Sequence, residues 1–581
     1  MTILRTIRLL NGAQRREGAL LLICMMVGAA LETVGVGLVV PALALITDAD
    51  SLASDGMLGE VIRMLGDPDR GRLVLLGMGA LVGLAALKTG FLGFVSWLQA
   101  RFVARLQAGM SRRLFEGYVH QPYAFHLNRN SAGLSYNAIA LPNGVAGVVQ
   151  NGLVLVTEVM VLASICGLLL VLQPLGALAT MTFIGGAGYA FNAATKSRAV
   201  RWGKSYKTNE ALRYQHLQQG LGGVKELTLL GRDKDIFRQY QEAITAASRA
   251  HAHQVALQSL PRLWLELLAV VGMTTLVFIL VQQGRPLEAL LPTVGLFAAA
   301  AFRVLPSVNR ILAAVHTFRF NAPFVSTLET ELQLLAAHAP PPTTSPVPFE
   351  RSLRLEGVSF RYPGASTNAL TGIDLEIIPG TSIGFVGGSG AGKSTLVDVI
   401  LGLLTVGDGA VLVDGVDIRT APRGWQQQIG YVPQHIFLTD DTLRRNVAFG
   451  VPDEEINDQE VERAIAAAQL DDFVAAQQLG VQTIVGERGV RLSGGQRQRI
   501  GIARALYHQP SVLVLDEATS ALDNATERGV MESVRALHGE KTVLIVAHRL
   551  STVRDCDHVY RLEGGRIVDQ GAAREVLVNL G

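Results

Sequence analysis

Long apolar runs separated by basic stretches fill the first 310 positions, and this rhythm stops beyond them. Crossing a bilayer takes about 20 mostly apolar residues. Six runs qualify: 19–46, 73–98, 148–172, 175–194, 260–281 and 287–305. The pattern therefore predicts six membrane-spanning helices. Arg5, Arg8, Arg15 and Arg16 precede the first run, and Arg101, Arg105, Arg112 and Arg113 follow the second. Lys196, Arg198, Arg201, Lys204 and Lys207 follow the fourth. The segment between the first two runs is acidic instead, with Asp48, Asp50, Asp55, Glu60, Asp67 and Asp69. Positive charge is retained on the cytoplasmic side, which puts the N-terminus inside and the acidic segment outside. An even number of spans returns the chain to the cytoplasm. The first run is too long for a signal-peptide core and shows no small-residue cleavage site, so it reads as a retained span.

The two inner connections, about 50 and about 65 residues, exceed ordinary helix–helix loops. Heptad-like apolar positions in 212–240 predict helical continuations of the spans. Short tips near 121–127 and 222–230 would be free to dock on a soluble domain. Residues 54–66 set Met57, Leu58, Val61, Ile62 and Leu65 at helical spacing. That reads either as an outer interfacial helix or as a loop helix packing on its own protein. Pro340, Pro341, Pro342, Pro346 and Pro348 then block both helix and sheet. The expected organisation is a transmembrane domain over 1–337, a linker over 338–348 and a soluble domain over 349–581. The fold class is an all-α six-span membrane domain fused to a soluble α/β domain.

Composition agrees with a chain part membrane and part soluble: 49% of the 581 residues are hydrophobic, 17% are charged, and the mean hydropathy is +0.31. The formal charge of +2 gives no hint of nucleic acid. Cys24, Cys166 and Cys556 have no metal-ligand spacing and make no disulfide framework.

The strongest chemistry lies in the soluble half. FVGGSGAGKS at 385–394 fits G-x-x-x-x-G-K-[ST], with an apolar strand before it and helical spacing after it. Gly387, Gly388, Ser389, Gly390, Ala391 and Gly392 would bring backbone N–H groups against phosphate oxygens at a helix N-terminus. Lys393 would bridge the β- and γ-phosphates, and Ser394 would ligate Mg²⁺. Thr395 closes the set. VLVLDE at 512–517 is a buried strand that puts Asp516 and Glu517 at its C-terminal end, where ligands bind in open α/β sheets. Asp516 is expected to hold Mg²⁺, and Glu517 to polarise the attacking water as general base.

LSGGQ at 492–496, with Arg497, Gln498 and Arg499 behind it, resembles the signature of the ATP-binding cassette (ABC) superfamily. Further motifs follow that family's order. The resemblance implies that Tyr362 stacks on adenine, that Gln434 in YVPQ is the Q-loop glutamine at the metal and that Glu487 in VGERG is the exporter X-loop. It likewise implies that Asp523 in SALD is the D-loop aspartate and that His548 in IVAHR is the switch histidine. Ser493, Gly494, Gly495 and Gln496 sit where a helix N-terminus would bind an anion. In this family that anion is the ATP of the other subunit. Each γ-phosphate would be gripped by Lys393 and His548 of one chain and by Ser493 and Gly495 of its partner. One copy of each motif calls for a second chain, and an undegraded set favours a homodimer over a heterodimer.

The cargo must be read from the spans. Glu32, Lys88, Glu158, Glu266 and Arg303 lie within or near apolar runs, where a central charge costs about 2.5–3.5 kcal/mol. They line a polar translocation cavity or pair between helices, for example Lys88 with Glu158. Arg262 and Arg303, with Lys88, are the candidates for an anionic group such as phosphate. The membrane half is similar to bacterial exporters. More narrowly, through LETVGVGLVVPAL at 31–43 and AAAAFRVLPSVNRI at 298–311, it looks like the lipid-linked oligosaccharide flippases. That likeness implies a polyprenyl-diphosphate-linked glycan moved across the bacterial inner membrane. A broad-specificity drug or lipid exporter and an ATP-gated regulator that moves no cargo stoichiometrically are the rival readings. A soluble ATPase with the same cassette is excluded by the six spans.

Overall fold

The computed structural model describes residues 5, 6, 8, 10–37, 70–172, 174–282, 287–336, 345–518, 524–547 and 549–578. The expected outer helix at 54–66 and most of the proline-rich linker lie outside them. The helices of the first part are α1 (Gly12–Gly37), α2 (Arg70–Val119), the short α3 (Tyr123–Leu127), α4 (Ser131–Leu172), α5 (Pro174–Gly222), the short α6 (Val224–Leu230), α7 (Asp233–Gln282) and α8 (Leu287–Ala336). Two compact units result: Met1–Gln121 with Asn128–Ala339, and Pro122–Leu127 with Pro340–Gly581.

In the first unit α2, α7 and α8 each run 50 residues, which at 1.5 Å per residue is about 75 Å. A hydrocarbon core is about 30 Å thick, so these helices continue well past any span. The pattern predicts this for the two inner connections on α2 and α7, but predicts no continuation for α8. Among the described residues, Gly12–Gly35, Met78–Val119, Ser131–Gly167 and Asp233–Gly272 are apolar and long enough to cross a membrane. The expected spans at 175–194 and 287–305 fall on α5 and α8, and the side chains of 287–303 lie outside the description.

Small residues let these helices approach. A β-carbon on Gly144 of α4 would run into the Phe324 ring of α8. One on Gly203 of α5 would lie 2.8 Å from the Phe320 carbonyl carbon. Polar bonds then fix the register at the far end. The Tyr118 hydroxyl donates to Glu331 Oε2 at 3.0 Å, and Arg129 Nη1 donates to Glu331 Oε1 at 3.2 Å.

The second unit is built on two sheets. A four-stranded antiparallel sheet has the order β2 (Leu370–Ile377), β1 (Leu353–Phe360), β4 (Asp408–Val413), β5 (Val416–Asp417). A six-stranded sheet has the order β10 (Arg566–Gly571), β9 (His558–Glu563), β3 (Ser382–Val386), β8 (Thr542–Val546), β7 (Val512–Asp516), β6 (Ile429–Val432). Strands β3 and β8 are buried along their whole length, which is why they read as unbroken apolar runs rather than alternating ones. The helix after β3 is α9 (Lys393–Ile400), and α10 (Gly494–Tyr507) begins within the signature. Ala124 of α3 packs on the core formed by the antiparallel sheet and α9, so this tip belongs to the second unit.

Candidate functional site

Parallel pairing gathers the motifs. Strands β3, β8, β7 and β6 run the same way, with Phe385 opposite Val546, Val546 opposite Asp516 and Val432 opposite Leu515. Four C-terminal ends therefore share one edge, at about 4.8 Å per strand. The phosphate loop leaves β3 there, Asp516 and Glu517 end β7, and Gln434 follows β6. His548 follows β8, but it and Asp523 lie outside the described residues.

The loop has the shape of a cradle. Gly387, Gly390 and Gly392 have φ of 150°, 78° and 102°, a region that favours glycine. A β-carbon on Gly392 would sit 2.9 Å from the Ala369 carbonyl oxygen, whereas at Gly388 and Gly390 it would meet open space. The glycines thus press one side of the loop on the protein and leave the other side bare, which fits a phosphate chain. Lys393, 5% exposed, lies across the loop, its Nζ donating to the carbonyls of Gly387 at 2.8 Å and Gly388 at 3.0 Å. Burial lowers its pKa, while Glu517 and Asp516 act in the opposite direction.

Negative charge faces that lysine. The Tyr431 hydroxyl donates to Asp516 Oδ2 at 3.3 Å, and Gln434 Nε2 donates to Glu517 Oε2 at 2.7 Å. Half-buried Asp398 on α9 has its pKa pushed up to about 6, by burial and then by Asp516. Glu517 holds φ = 50°, a left-handed conformation that costs a non-glycine residue about 1–2 kcal/mol. That conformation is held by its backbone N–H, which donates to the Val546 carbonyl at 3.1 Å. Hydroxyl, carboxylate and amide oxygens from Ser394, Asp516 and Gln434 make a hard donor set that fits Mg²⁺. Tyr362 reaches the same helix, its hydroxyl 3.1 Å from Thr395 Oγ1.

The signature forms a capping box at the start of α10. Ser493 Oγ accepts from the Gln496 N–H at 3.2 Å, and Gln496 Oε1 accepts from the Ser493 N–H at 2.9 Å. The Ser493 O–H and the N–H groups of Gly494 and Gly495 keep their donor capacity for an anion. The arginines behind the signature have structural work. Arg497 donates to the carbonyls of Gly489 and Leu492, and Arg499 to that of Gln469. Glu487 lies exposed on a short 3₁₀ turn.

The membrane charges arrange themselves differently from the expected example. Lys88 does not pair with Glu158. Its stem lies beside Gly35 of α1, and its ammonium is 3.4 Å from Glu32 Oε2. Glu158 of α4 faces α8 and binds Arg310 at 2.7 Å. Arg262 is exposed and paired one turn along its own helix with Glu266 at 2.8 Å. Arg303 lies on α8, with its side chain outside the described residues. Arg310 escaped the sequence reading because it lies past the end of its apolar run; its two-turn spacing from Arg303 was the available signal.

The comparisons with known proteins agree with this architecture. Residues 370–520 match the ABC transporter family, and residues 38–297 match the ABC transporter transmembrane region. The chain belongs to the ABC transporter family: it is a multi-pass membrane protein whose ATP hydrolysis is coupled to transport. Among its relatives, an ATP-dependent lipid A-core flippase of Thiobacillus denitrificans is 31% identical over 88% of this chain and 87% of that protein. Another ATP-dependent lipid A-core flippase, of Pectobacterium atrosepticum, is 30% identical over 94% of each chain. The solved structure of a bacterial Atm1-family ABC exporter with ATP bound superposes with a TM-score of 0.79, over 98% of this chain and 97% of that one, at 22% identity. That likeness speaks to fold alone.

Proposed function

We propose that two copies of this chain form an exporter of the bacterial inner membrane that flips an anionic glycolipid, of the lipid-linked oligosaccharide kind, at the expense of ATP. The observation that carries this reading is the sheet edge on which the phosphate loop, Asp516, Glu517 and Gln434 meet, with one copy of the LSGGQ signature in the sequence. Each cassette would hold phosphates on the N–H groups of Gly387–Ser394 and on Lys393. Ser394, Asp516 and Gln434 would hold Mg²⁺, which supplies charge neutralisation at the transferring phosphoryl group. Glu517 would take the proton of the attacking water, and Gln434 holds it in place. Ser493 and Gly495 would donate across the dimer to the partner's nucleotide.

A homodimer is supported by the undegraded motif set and by α6. Its Val224, Leu229 and Leu230 are 59%, 78% and 65% exposed, an apolar tip suited to a partner cassette. Relatives named for flipping lipid A-core, together with Lys88, Arg262 and Arg303, support a lipid cargo with an anionic headgroup. The test is ATP-driven translocation of a fluorescent diphosphate-linked glycolipid in sealed liposomes. Movement that stops in Glu517→Gln is the expected result. ATP hydrolysis without movement of any lipid would overturn the cargo reading.

A further inference from the structure

Two acidic residues end β7, and each is held by a side chain from β6 or its exit. Gln434 Nε2 donates to Glu517 Oε2 at 2.7 Å, and the Tyr431 hydroxyl donates to Asp516 Oδ2 at 3.3 Å. Strand register explains the second pairing. Tyr431 lies opposite Val514. Asp516 lies two residues further along β7, on the same face and about 6.6 Å away. A tyrosine spans that gap with its hydroxyl, whereas a phenylalanine ring stops short of the carboxylate.

Packing fixes the ring. It is half-buried against the core to which α9 contributes Leu396, Val397 and Ile400. Burial first, then the charges of Asp516 and Asp398, push the phenol's pKa up, so the hydroxyl keeps its proton and acts as the donor. An aspartate's terminal torsion is broad, and its carboxylate takes its orientation from its neighbours. At 3.3 Å the contact is longer than the usual O–H···O bond. It limits how the carboxylate turns more than it adds binding energy. Mg²⁺ accepts little departure from octahedral geometry, whereas Ca²⁺ tolerates irregular coordination. A carboxylate left to turn therefore weakens a site for Mg²⁺ more than for Ca²⁺.

We propose that Tyr431 is the positioning residue of Asp516, its hydroxyl fixing how the carboxylate meets Mg²⁺ and so setting metal affinity and metal selectivity. This rests on the reading above that Asp516 holds Mg²⁺. Tyr431 and Gln434 then divide the work at one strand end: the tyrosine orients the metal-holding carboxylate, and the glutamine orients the base. Groups that hydrogen-bond a ligating carboxylate are worth about 10–100-fold in metal affinity. The length of this contact puts Tyr431 at the lower end.

The experiment is a Mn²⁺ titration followed by electron paramagnetic resonance, on the full-length protein in nanodiscs with a non-hydrolysable ATP analogue. Mg²⁺ or Ca²⁺ then displaces the Mn²⁺. Tyr431→Phe should weaken Mg²⁺ about tenfold and leave Ca²⁺ nearly unchanged. In turnover, the Mg²⁺ concentration for half-maximal rate should rise in step, while the rate at saturating Mg²⁺ stays within about twofold of the wild type. The melting temperature and the analogue's affinity in EDTA should not move. Tyr431→Leu removes the ring as well as the hydroxyl. Loss of Mg²⁺ in this variant but not in Tyr431→Phe would assign the effect to packing and overturn the proposal. Equal losses of Mg²⁺ and Ca²⁺ in Tyr431→Phe would overturn it too. Asp516→Asn separates the two readings. If it retains wild-type Mg²⁺ affinity, Asp516 does not hold the metal and both readings fall. If it loses Mg²⁺ while Tyr431→Phe does not, only the role of Tyr431 falls.

Discussion

The cassette and the membrane helices use charge in opposite ways. In the cassette, chemistry is tied to backbone geometry: glycine conformations shape the loop, a strand end presents Asp516 and Glu517, and one helical turn closes the Ser493–Gln496 box. In the membrane unit, the charges that join helices are tied to partners far along the chain, Glu32 to Lys88 and Glu158 to Arg310, while Arg262 pairs within its own helix. Geometry written into the backbone has local grammar. A charge between helices needs only an opposite charge, and packing chooses which.

The largest effect that tests this contrast is Glu517→Gln. Glutamine offers the same carbonyl acceptor to Gln434 Nε2, so the local geometry should persist while the proton acceptor is lost. Turnover should fall by about 10²–10⁴, the range typical of a removed general base, with nucleotide affinity preserved. Single-turnover hydrolysis and equilibrium nucleotide binding, measured side by side, check it; undiminished hydrolysis would remove Glu517 from the base role. Lys393→Ala should lose binding as well as turnover, since the ammonium spans the loop itself.

A smaller effect probes the helix unit. Gly203→Ala would drive a methyl group into the Phe320 carbonyl of α8. Overpacking of this kind costs about 1–3 kcal/mol, and here the obstacle is backbone, which yields poorly. Gly109→Ala meets only the Gln14 amide at 3.9 Å, ordinary contact, and should be neutral or slightly stabilising. Thermal unfolding of the two purified variants gives the comparison. Equal melting temperatures would mean that α5 and α8 do not depend on this close approach.

The same contrast explains what was legible in the sequence. The phosphate loop, the strand ending in Asp516 and Glu517 and the signature each occupy a few consecutive residues, and parallel pairing of β3, β8, β7 and β6 brings the first two to one edge. Long apolar runs and basic flanks likewise announce helices and their continuations. The charge partners were not legible. Apolar residues surround these helices on most faces, so no stripe says which face meets which neighbour. The pairing of Lys88 with Glu32 needs the neighbouring helix in view. Arg310 lay beyond the apolar boundary and drew no notice. Within the cassette, the Tyr431 bond to Asp516 and the elevated pKa of Asp398 depend on the packed surroundings in the same way.

Asp414 stands between the two cases, and it supplies the smallest effect. It is a cassette charge whose partners are distant in sequence, yet those partners are backbone. Its carboxylate accepts from the N–H groups of Glu350, Arg351 and Ser352 at 2.8, 2.8 and 2.9 Å, and its own N–H donates to the Ser352 carbonyl at 2.9 Å. Burial alone raises its pKa, but the three N–H donors outweigh it, and the net shift is downward. The unfolded chain then binds more protons than the folded one in acid, so stability rises with pH there. The contribution is present above the unfolded value near 4 and drains away as pH falls through the lower folded value. Because the group is largely solvated, its worth is under about 1 kcal/mol. Asp414→Asn should lower the melting temperature slightly at pH 7, less at pH 4 and not at all in stronger acid. A deficit that stays constant with pH would mean that the hydrogen bonds, not the charge, carry the contribution. Asp414 would then belong wholly with the backbone-defined features of the cassette.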